Sequence, residues 1–452
     1  MRNGRTPVNM LTLPTLFAIA TVAASWSASS VAQTAVACKP GFELAGTMRG
    51  EARCTPAAGE RIAQADPNPV RGGSAGPRPG AGDRMMPQAR LGAIAGFKTW
   101  ASNNGVTNAS IWVQTVSDGV YDADAIGSWR IDTIAPIAST SKAITAMCVL
   151  TLLDSRRIDL ESTVQVILPA FTNSIPEAVR FNAASVRVEH LLRHTSGFNL
   201  DPTQQSYRTG AADANPDEWF ARQAFQGGFN GIGSRYQYNN TNYAMLGMII
   251  KAVTGQSYES YCKDAVLTPL GAPNARIGAG VRGMEAFGGW EMSVREYANF
   301  YTRAFVYSRI LGSVSATTLM NYRPANFVIP GCSGCYYGLG VIVVPIGDIQ
   351  TGPVARHNLF HHGDWDCATG TSCNGATTPQ QFASFAAMWD NIADFSRATY
   401  AFVIYDRHVS DAARANLDDT LRNAAFAADP PAAAAPAAPQ TTEEQIRSII
   451  RN

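Results

Sequence analysis

The sequence predicts a mixed α/β (α+β) fold: an antiparallel sheet flanked by helices, with a helical lobe inserted into it. Three observations carry this. Residues 109–116 and 120–129 read as a strand pair joined by the turn Asp118-Gly119, and a long apolar helix opens close behind them at Ser139. Residues 155–290 carry helix and loop patterns with few strand signals. Strand patterns return at Leu339–Val344 and Thr399–Tyr405, so both ends of the domain contribute to one sheet and the helical region lies between them.

Residues 1–32 read as an export signal. Arg2 and Arg5 give a positive start, Met10 to Ala24 is an apolar run interrupted by Thr and Pro14, and Ser30-Val31-Ala32 offers small residues for cleavage. The run is too short for a membrane span, and no other segment approaches that length. A lipid anchor at Cys38 is disfavoured, because Ala35 is small for that motif and the apolar run ends too early. Residues 33–57 form a small segment bracketed by Cys38 and Cys54. Residues 58–88 are rich in Gly, Pro, Ala and Arg, a linker composition that buries little. The catalytic-sized domain spans 89–427 and opens with helical spacing over 89–103. Residues 428–452 are an Ala/Pro-rich tail, in which Thr441–Arg451 reads either as a short amphipathic helix or as a solvated end.

Composition narrows the function classes. Hydrophobic residues make up 46% and charged residues 16%, which fits a packed interior. The net charge is +1 and there is no long basic run, so nothing points to nucleic acid or an anionic membrane surface as partner. Export places the eight cysteines in an oxidising compartment, where disulfides form. Cys38 is expected to pair with Cys54. Cys332, Cys335, Cys367 and Cys373 allow three pairings, of which 332–335 with 367–373 joins the nearest neighbours; their spacing does not suit a zinc ribbon. Cys148, inside an apolar helix, is expected to be a free buried thiol.

The chemistry concentrates in three places. Ser139-Thr140-Ser141-Lys142 opens a run that is apolar nearly all round, the mark of a buried central helix. Three residues apart, Ser139 and Lys142 share a helical face, and the helix N-terminus offers positive potential and free N–H groups. A lysine buried there loses solvation, so its neutral form becomes accessible as a base for the serine. The bland alternative is a serine cap followed by a surface lysine; the unbroken apolar context argues against it. Second, Tyr238-Asn239-Asn240 precedes a helix closed by Gly255. Alone these residues are a buried aromatic and an N-cap; beside a Ser/Lys pair, Tyr238 is a candidate proton relay and Asn240 a donor and acceptor that positions lysine and substrate. Third, His361-His362-Gly363-Asp364 follows Leu359-Phe360. A strand here would bring His361 to the cleft edge as a cation or hydrogen-bond donor. Gly363 would let the backbone approach substrate closely, and the Asp364 N–H, with that of Ser139, would complete an oxyanion hole.

These motifs resemble those of serine hydrolases of the class C β-lactamase and penicillin-binding-protein type, a family that includes DD-peptidases, D-aminopeptidases, family VIII carboxylesterases and nylon-oligomer hydrolases. Two further stretches are similar to that family: Val188 to Phe198, containing His194-Thr195-Ser196-Gly197, and Gly288-Gly289-Trp290-Glu291-Met292-Ser293, continued by Glu296-Tyr297. The resemblance runs from about Ala89 to Arg407. It implies a β-lactamase/transpeptidase-like fold and acyl transfer to Ser139 without cofactor or metal. Lys142 and Tyr238 would share the base and acid roles, and His361 would stand where relatives carry a lysine. It also accounts for His190 and His194 structurally, although their spacing could otherwise suggest a metal pair. After Asp364 the sequence departs from the family, and Cys367 to Phe382 reads as an inserted loop at the cleft rim. A third-motif histidine places a carboxylesterase or small-amide hydrolase first, a DD-peptidase or D-aminopeptidase second and a β-lactamase third. A non-catalytic binding protein on the same fold would have no need of Ser139, Lys142 and Tyr238 together.

Overall fold

The structure, a computed structural model, describes residues 42–48, 51–56, 86–115, 119–205, 207–279, 281, 283–306, 329, 334–345, 357–366, 381–389 and 399–426. The export signal, most of the linker, the tail, and the pairings Cys38–Cys54 and Cys367–Cys373 lie outside those residues. The chain divides into two compact units, Met1–Arg78 and Pro79–Asn452. Within the first, β1 (Phe42–Met48) and β2 (Glu51–Pro56) pair antiparallel with an irregularity between Leu44 and Gly46. No described helix is long and apolar enough to cross a membrane.

The second unit is built on an antiparallel sheet of seven strands. In chain order they are β3 (Ala109–Thr115), β4 (Tyr121–Ile126), β8 (Tyr336–Gly338), β9 (Val341–Pro345), β10 (His357–Asp366), β11 (Gln381–Trp389) and β12 (Thr399–Tyr405). Their order across the sheet is β4-β3-β12-β11-β10-β9-β8. The two ends of the domain meet where β12 pairs with β3, Tyr405 opposite Ala109 and Thr399 opposite Thr115. All seven residues of β3 and of β12 are buried. Sequence reading treats 109–116 as an alternating strand; the structure shows a central one covered on both faces, which selects near-continuous apolar residues. The stretch 367–382, read as an inserted loop, gives up its last two residues to β11, which begins at Gln381.

One face of the sheet is covered by α1 (Met86–Asn103), which starts three residues inside the expected linker, and by the C-terminal helix Asp411–Phe426. Trp100 of α1 meets Tyr405 edge-on at 5.2 Å and donates its indole N–H to the carbonyl of Ala413 at 2.8 Å. On the other face Tyr297, on the helix Val294–Tyr301, stacks on Phe402 at 3.9 Å. Tyr405 and Phe402 thus point to opposite sides of β12, as the strand's period of two requires. The helix α2 (Ser141–Asp154) is buried on every side from Ser141 to Leu150, as its all-round apolar pattern predicts. Beyond it lies the helical lobe, including α3 (Asn240–Thr254). That helix is capped by the Asn239 side chain on Thr241 N and closed by Gly255 at φ +73°. Sequence reading foresees the lobe but not the small sheet at its base, where β5 (Ala135–Pro136) and β6 (Arg276–Ile277) flank β7 (Trp290–Met292).

One expectation is overturned. Cys148 is not a free thiol: it is bridged to Cys262, 114 residues away, with the two Cα atoms 5.5 Å apart. The sulfur on α2 faces the short helix Tyr258–Cys262, a contact between distant segments that spacing does not reveal. Cys335 is also disulfide-bonded, its partner lying outside the described residues. Closing so long a loop restricts the unfolded chain, so replacing Cys148 and Cys262 together by alanine is expected to lower unfolding free energy by about 2–5 kcal/mol, read from urea melts.

Candidate active site

Ser139 sits in a 3-10 turn, Ala138–Thr140, two residues before α2 begins at Ser141. The turn is held from several sides. The carbonyl of Ile137 accepts from Thr140 Oγ1 and from Ser384 Oγ on β11, each at 2.7 Å, and Tyr297 Oη donates to the carbonyl of Thr140 at 3.0 Å. Ala138 is forced to φ +47°, a left-handed conformation costing about 1–2 kcal/mol in a residue with a Cβ. Surrounding bonds over-determine the strain, and the serine is presented on a sharp, rigid corner.

Three polar groups converge on that corner. Lys142 Nζ is 2.9 Å from Ser139 Oγ and donates to the carbonyl of Phe287 at 2.8 Å. Tyr238 Oη donates to Ser139 Oγ at 3.1 Å. The lysine is fully buried, with its Nζ 4.9 Å from the Tyr238 ring centre. Burial drives its pKa well below that of an ordinary lysine, opposed by the negative charge of Asp201. Burial also raises the Tyr238 phenol, against the hydrogen bond to Ser139. The resting pair is therefore a lysine pushed toward its neutral amine and a tyrosine that keeps its proton.

The Tyr238–Asn240 segment is docked on the loop that follows the short helix Val188–Leu192. His194 Nδ1 accepts from the N–H of Asn239 at 3.2 Å and lies 3.0 Å from Asn242 Nδ2. Asn239 Nδ2 donates to the carbonyl of Leu200 at 2.9 Å, and Asp201 Oδ2 accepts from the N–H of Asn240 at 2.9 Å. His190 and His194 are not a ligand pair on one helix: His194 lies past its end at φ +56°, and His190 Nδ1 accepts from Arg187 N at 3.2 Å. Asn240 is the first residue of α3 rather than its cap, and its Oδ1 is buried without a protein partner. Asp201 escapes sequence reading. Its only signal is a lone carboxylate before Pro202 in an otherwise uncharged loop, and its weight comes from burial beside Lys142.

The third motif lies on β10. Gly363 packs directly against the serine turn: a Cβ there would fall 2.4 Å from the Ile137 carbonyl oxygen, 2.3 Å from Ser384 Oγ and 3.2 Å from Ser139 N. Gly363→Ala is accordingly expected to displace turn or strand and lower kcat about 100-fold, measured on any ester the wild type turns over. His361 differs from the cation or donor expected at the cleft edge. Its Nε2 is 2.9 Å from Tyr337 Oη and its Nδ1 is 2.5 Å from the carbonyl oxygen of His362. Burial, reinforced by repulsion from Lys142, pushes its pKa down to about 3. The ring is neutral, with Nδ1–H donating to the main chain and Nε2 accepting from the tyrosine. Tyr337, on the unforeseen strand β8, also packs edge-on against His194 at 4.5 Å and so ties the His194 stretch and the second and third motifs into one buried aromatic cluster.

A family model described as Beta-lactamase matches residues 83–387. The chain belongs to the beta-lactamase family. Among curated relatives of this beta-lactamase-family chain, penicillin-binding protein 4 of Amycolatopsis lactamdurans is 32% identical over 140 residues, 31% of this chain and 35% of that protein. Protein flp of Staphylococcus aureus strain MW2 is 32% identical over 156 residues, 34% of this chain and 30% of that one. The chain thus spans about a third of the length of the curated relatives it matches. Among solved structures, a D-stereospecific amidohydrolase from Streptomyces sp. superposes with a TM-score of 0.55 at 18% identity, over 75% of this chain and 98% of that one. An octameric penicillin-binding protein homologue from Pyrococcus abyssi gives 0.52 at 20%, over 70% and 72%. These place the fold in the β-lactamase/transpeptidase class, with the antiparallel sheet and flanking helices that the sequence predicts.

Proposed function

We propose that this chain is an exported serine hydrolase that forms an acyl-enzyme on Ser139 and acts on small, uncharged esters or amides, a carboxylesterase-like activity. The observation that carries the reading is the convergence of Lys142 Nζ and Tyr238 Oη on one oxygen, Ser139 Oγ, at 2.9 and 3.1 Å. A neutral Lys142 has one lone pair for the Ser139 proton while its N–H bond to the Phe287 carbonyl stays made. As Oγ attacks the carbonyl carbon, the proton passes to Nζ and the new oxyanion is received by the N–H groups of Ser139 and Asp364. Collapse of the tetrahedral intermediate breaks the bond to the leaving group, which takes the Tyr238 proton while Lys142 returns one to Tyr238. Water then repeats the sequence on the acyl-enzyme and frees the acid. Asn240, whose Oδ1 is buried without a protein partner, is in this reading the side chain that orients Lys142 and the substrate.

Substrate preference follows from the third motif. A neutral His361, with both ring nitrogens engaged inside the protein, presents no cation to a substrate carboxylate, which supports uncharged esters and amides over carboxylate-bearing β-lactams and peptides. The Cys148–Cys262 bridge supports export to an oxidising compartment. Hydrolysis of p-nitrophenyl butyrate and nitrocefin by wild type and Ser139→Ala, side by side, tests this: ester turnover that vanishes in the variant, with little nitrocefin turnover, is expected. Dominant nitrocefin turnover would move the chain to the β-lactamases. Turnover of neither by the folded protein would favour a peptide substrate carrying a D-amino acid.

A further inference from the structure

We propose that Arg414 and His408, in the C-terminal segment, are positioning residues for the oxyanion-binding stretch of β10, acting through the Asp364 side chain. The inference rests on the reading of Ser139 as nucleophile and of the Asp364 N–H as oxyanion donor. Residues of a strand alternate between its faces. Gly363 lies against the serine turn on one face of β10. On the other, His362 stacks on Phe385 at 4.3 Å, and the Asp364 carboxylate turns toward the C-terminal segment. There Asp364 Oδ2 accepts from Arg414 Nη1 at 2.6 Å and lies 2.7 Å from His408 Nδ1.

This anchor is built rather than incidental. Arg414 is only 4% exposed, and its other terminal nitrogen, Nη2, donates to Asp411 Oδ1 at 2.5 Å, which locks the guanidinium plane. The helix that carries it is fixed to the rest of the unit by the bond from Trp100 to Ala413 and by Trp389 Nε1 donating to Asp418 Oδ1 at 3.1 Å. β10 needs such a hold where Asp364 lies. Its pairing with β9 runs only from His357 to Phe360, whereas β11 continues beside it to Asp366. Among the described residues, the stretch 361–366 therefore has a strand partner on one edge only, and the depth of the Asp364 N–H relative to Ser139 depends on what holds its side chain. Asp364 Oδ1 is buried without a protein partner, so the whole compensation for burying this carboxylate falls on Oδ2 and its two donors.

The test uses the full chain, with kcat and KM for p-nitrophenyl butyrate, the rate of Ser139 labelling by a fluorophosphonate, and the thermal midpoint, in Arg414→Met, Arg414→Lys, Asp364→Asn and the double variant Arg414→Met/Asp364→Asn. A misplaced oxyanion donor lowers kcat with KM little changed, so Arg414→Met is expected to lose about 10–100-fold in kcat and in labelling rate with KM within about threefold. Arg414→Lys should recover part of the loss, and the double variant should be no worse than the poorer single one, because both cut the same link. Should Arg414→Met fail to fold, the isosteric Asp364→Asn carries the same expectation for kcat and labelling. Folded variants with kcat within twofold of wild type, or losses that multiply in the double variant, would overturn the proposal. A folded wild type that is not labelled at Ser139 would instead overturn the serine-hydrolase reading, and this inference with it.

Discussion

Ser139→Ala is expected to lower kcat/KM for the preferred ester by about 10⁵–10⁶-fold, because residues that act as one catalytic unit fail together when the nucleophile is lost. The variant should fold as the wild type does. Ser139 is not what holds its own corner: Ile137, Thr140, Ser384 and Tyr297 make the bonds that keep Ala138 at φ +47°. Comparing kcat/KM with the thermal midpoint separates the two consequences, and a large fall in both would mean the turn had collapsed rather than lost its chemistry.

Lys142→Met is expected to cost about 10³–10⁴-fold in kcat, the range of a lost general base held against its nucleophile, while keeping a buried side chain of similar length. The pH dependence carries more information. The base is the neutral amine, burial lowers its pKa, and protonation removes it; activity should rise with pH through that lowered pKa and then level off. The acid limb should vanish in Lys142→Met. Asp201 opposes the lowering, since its negative charge favours the ammonium form. Asp201→Asn should therefore move the acid limb to lower pH, a shift that a purely structural role would not produce. His361, pushed down to about 3, should add no inflection between pH 5 and pH 9. An acid limb near pH 6.5 that disappears on replacing His361 would contradict its assignment as a neutral hydrogen-bonded ring.

Local pattern made much of this molecule legible. The all-round apolar run after Lys142, the Gly255 stop and the strand at Thr399–Tyr405 each rest on neighbours in sequence, and each stands where the pattern puts it. Ser139 and Lys142 are readable because they open an all-round apolar run, whereas Tyr238, in a polar Asn-rich stretch, stands out only beside that pair; Lys142 Nζ and Tyr238 Oη meet at Ser139 Oγ. What escaped depends on long-range packing. Cys148 and Cys262 are 114 residues apart. Tyr337 matters because β8 pairs with β9 and brings its hydroxyl to His361, and no residue beside it announces that role. Asp201 matters because the fold buries it near Lys142. His361, expected as a cation or hydrogen-bond donor, has its pKa pushed down to about 3 for the same reason: sequence supplies the residue, and burial disfavours its charge.

The central claim is that one oxygen, Ser139 Oγ, carries the acyl group. The most direct measurement is peptide mass spectrometry of the full chain after brief reaction with a fluorophosphonate, and separately with p-nitrophenyl butyrate quenched in acid. A single adduct on the peptide containing Ser139, absent in Ser139→Ala and formed far more slowly in Lys142→Met, is the predicted result. An adduct on another residue, or ester turnover that persists unlabelled in Ser139→Ala, would contradict it.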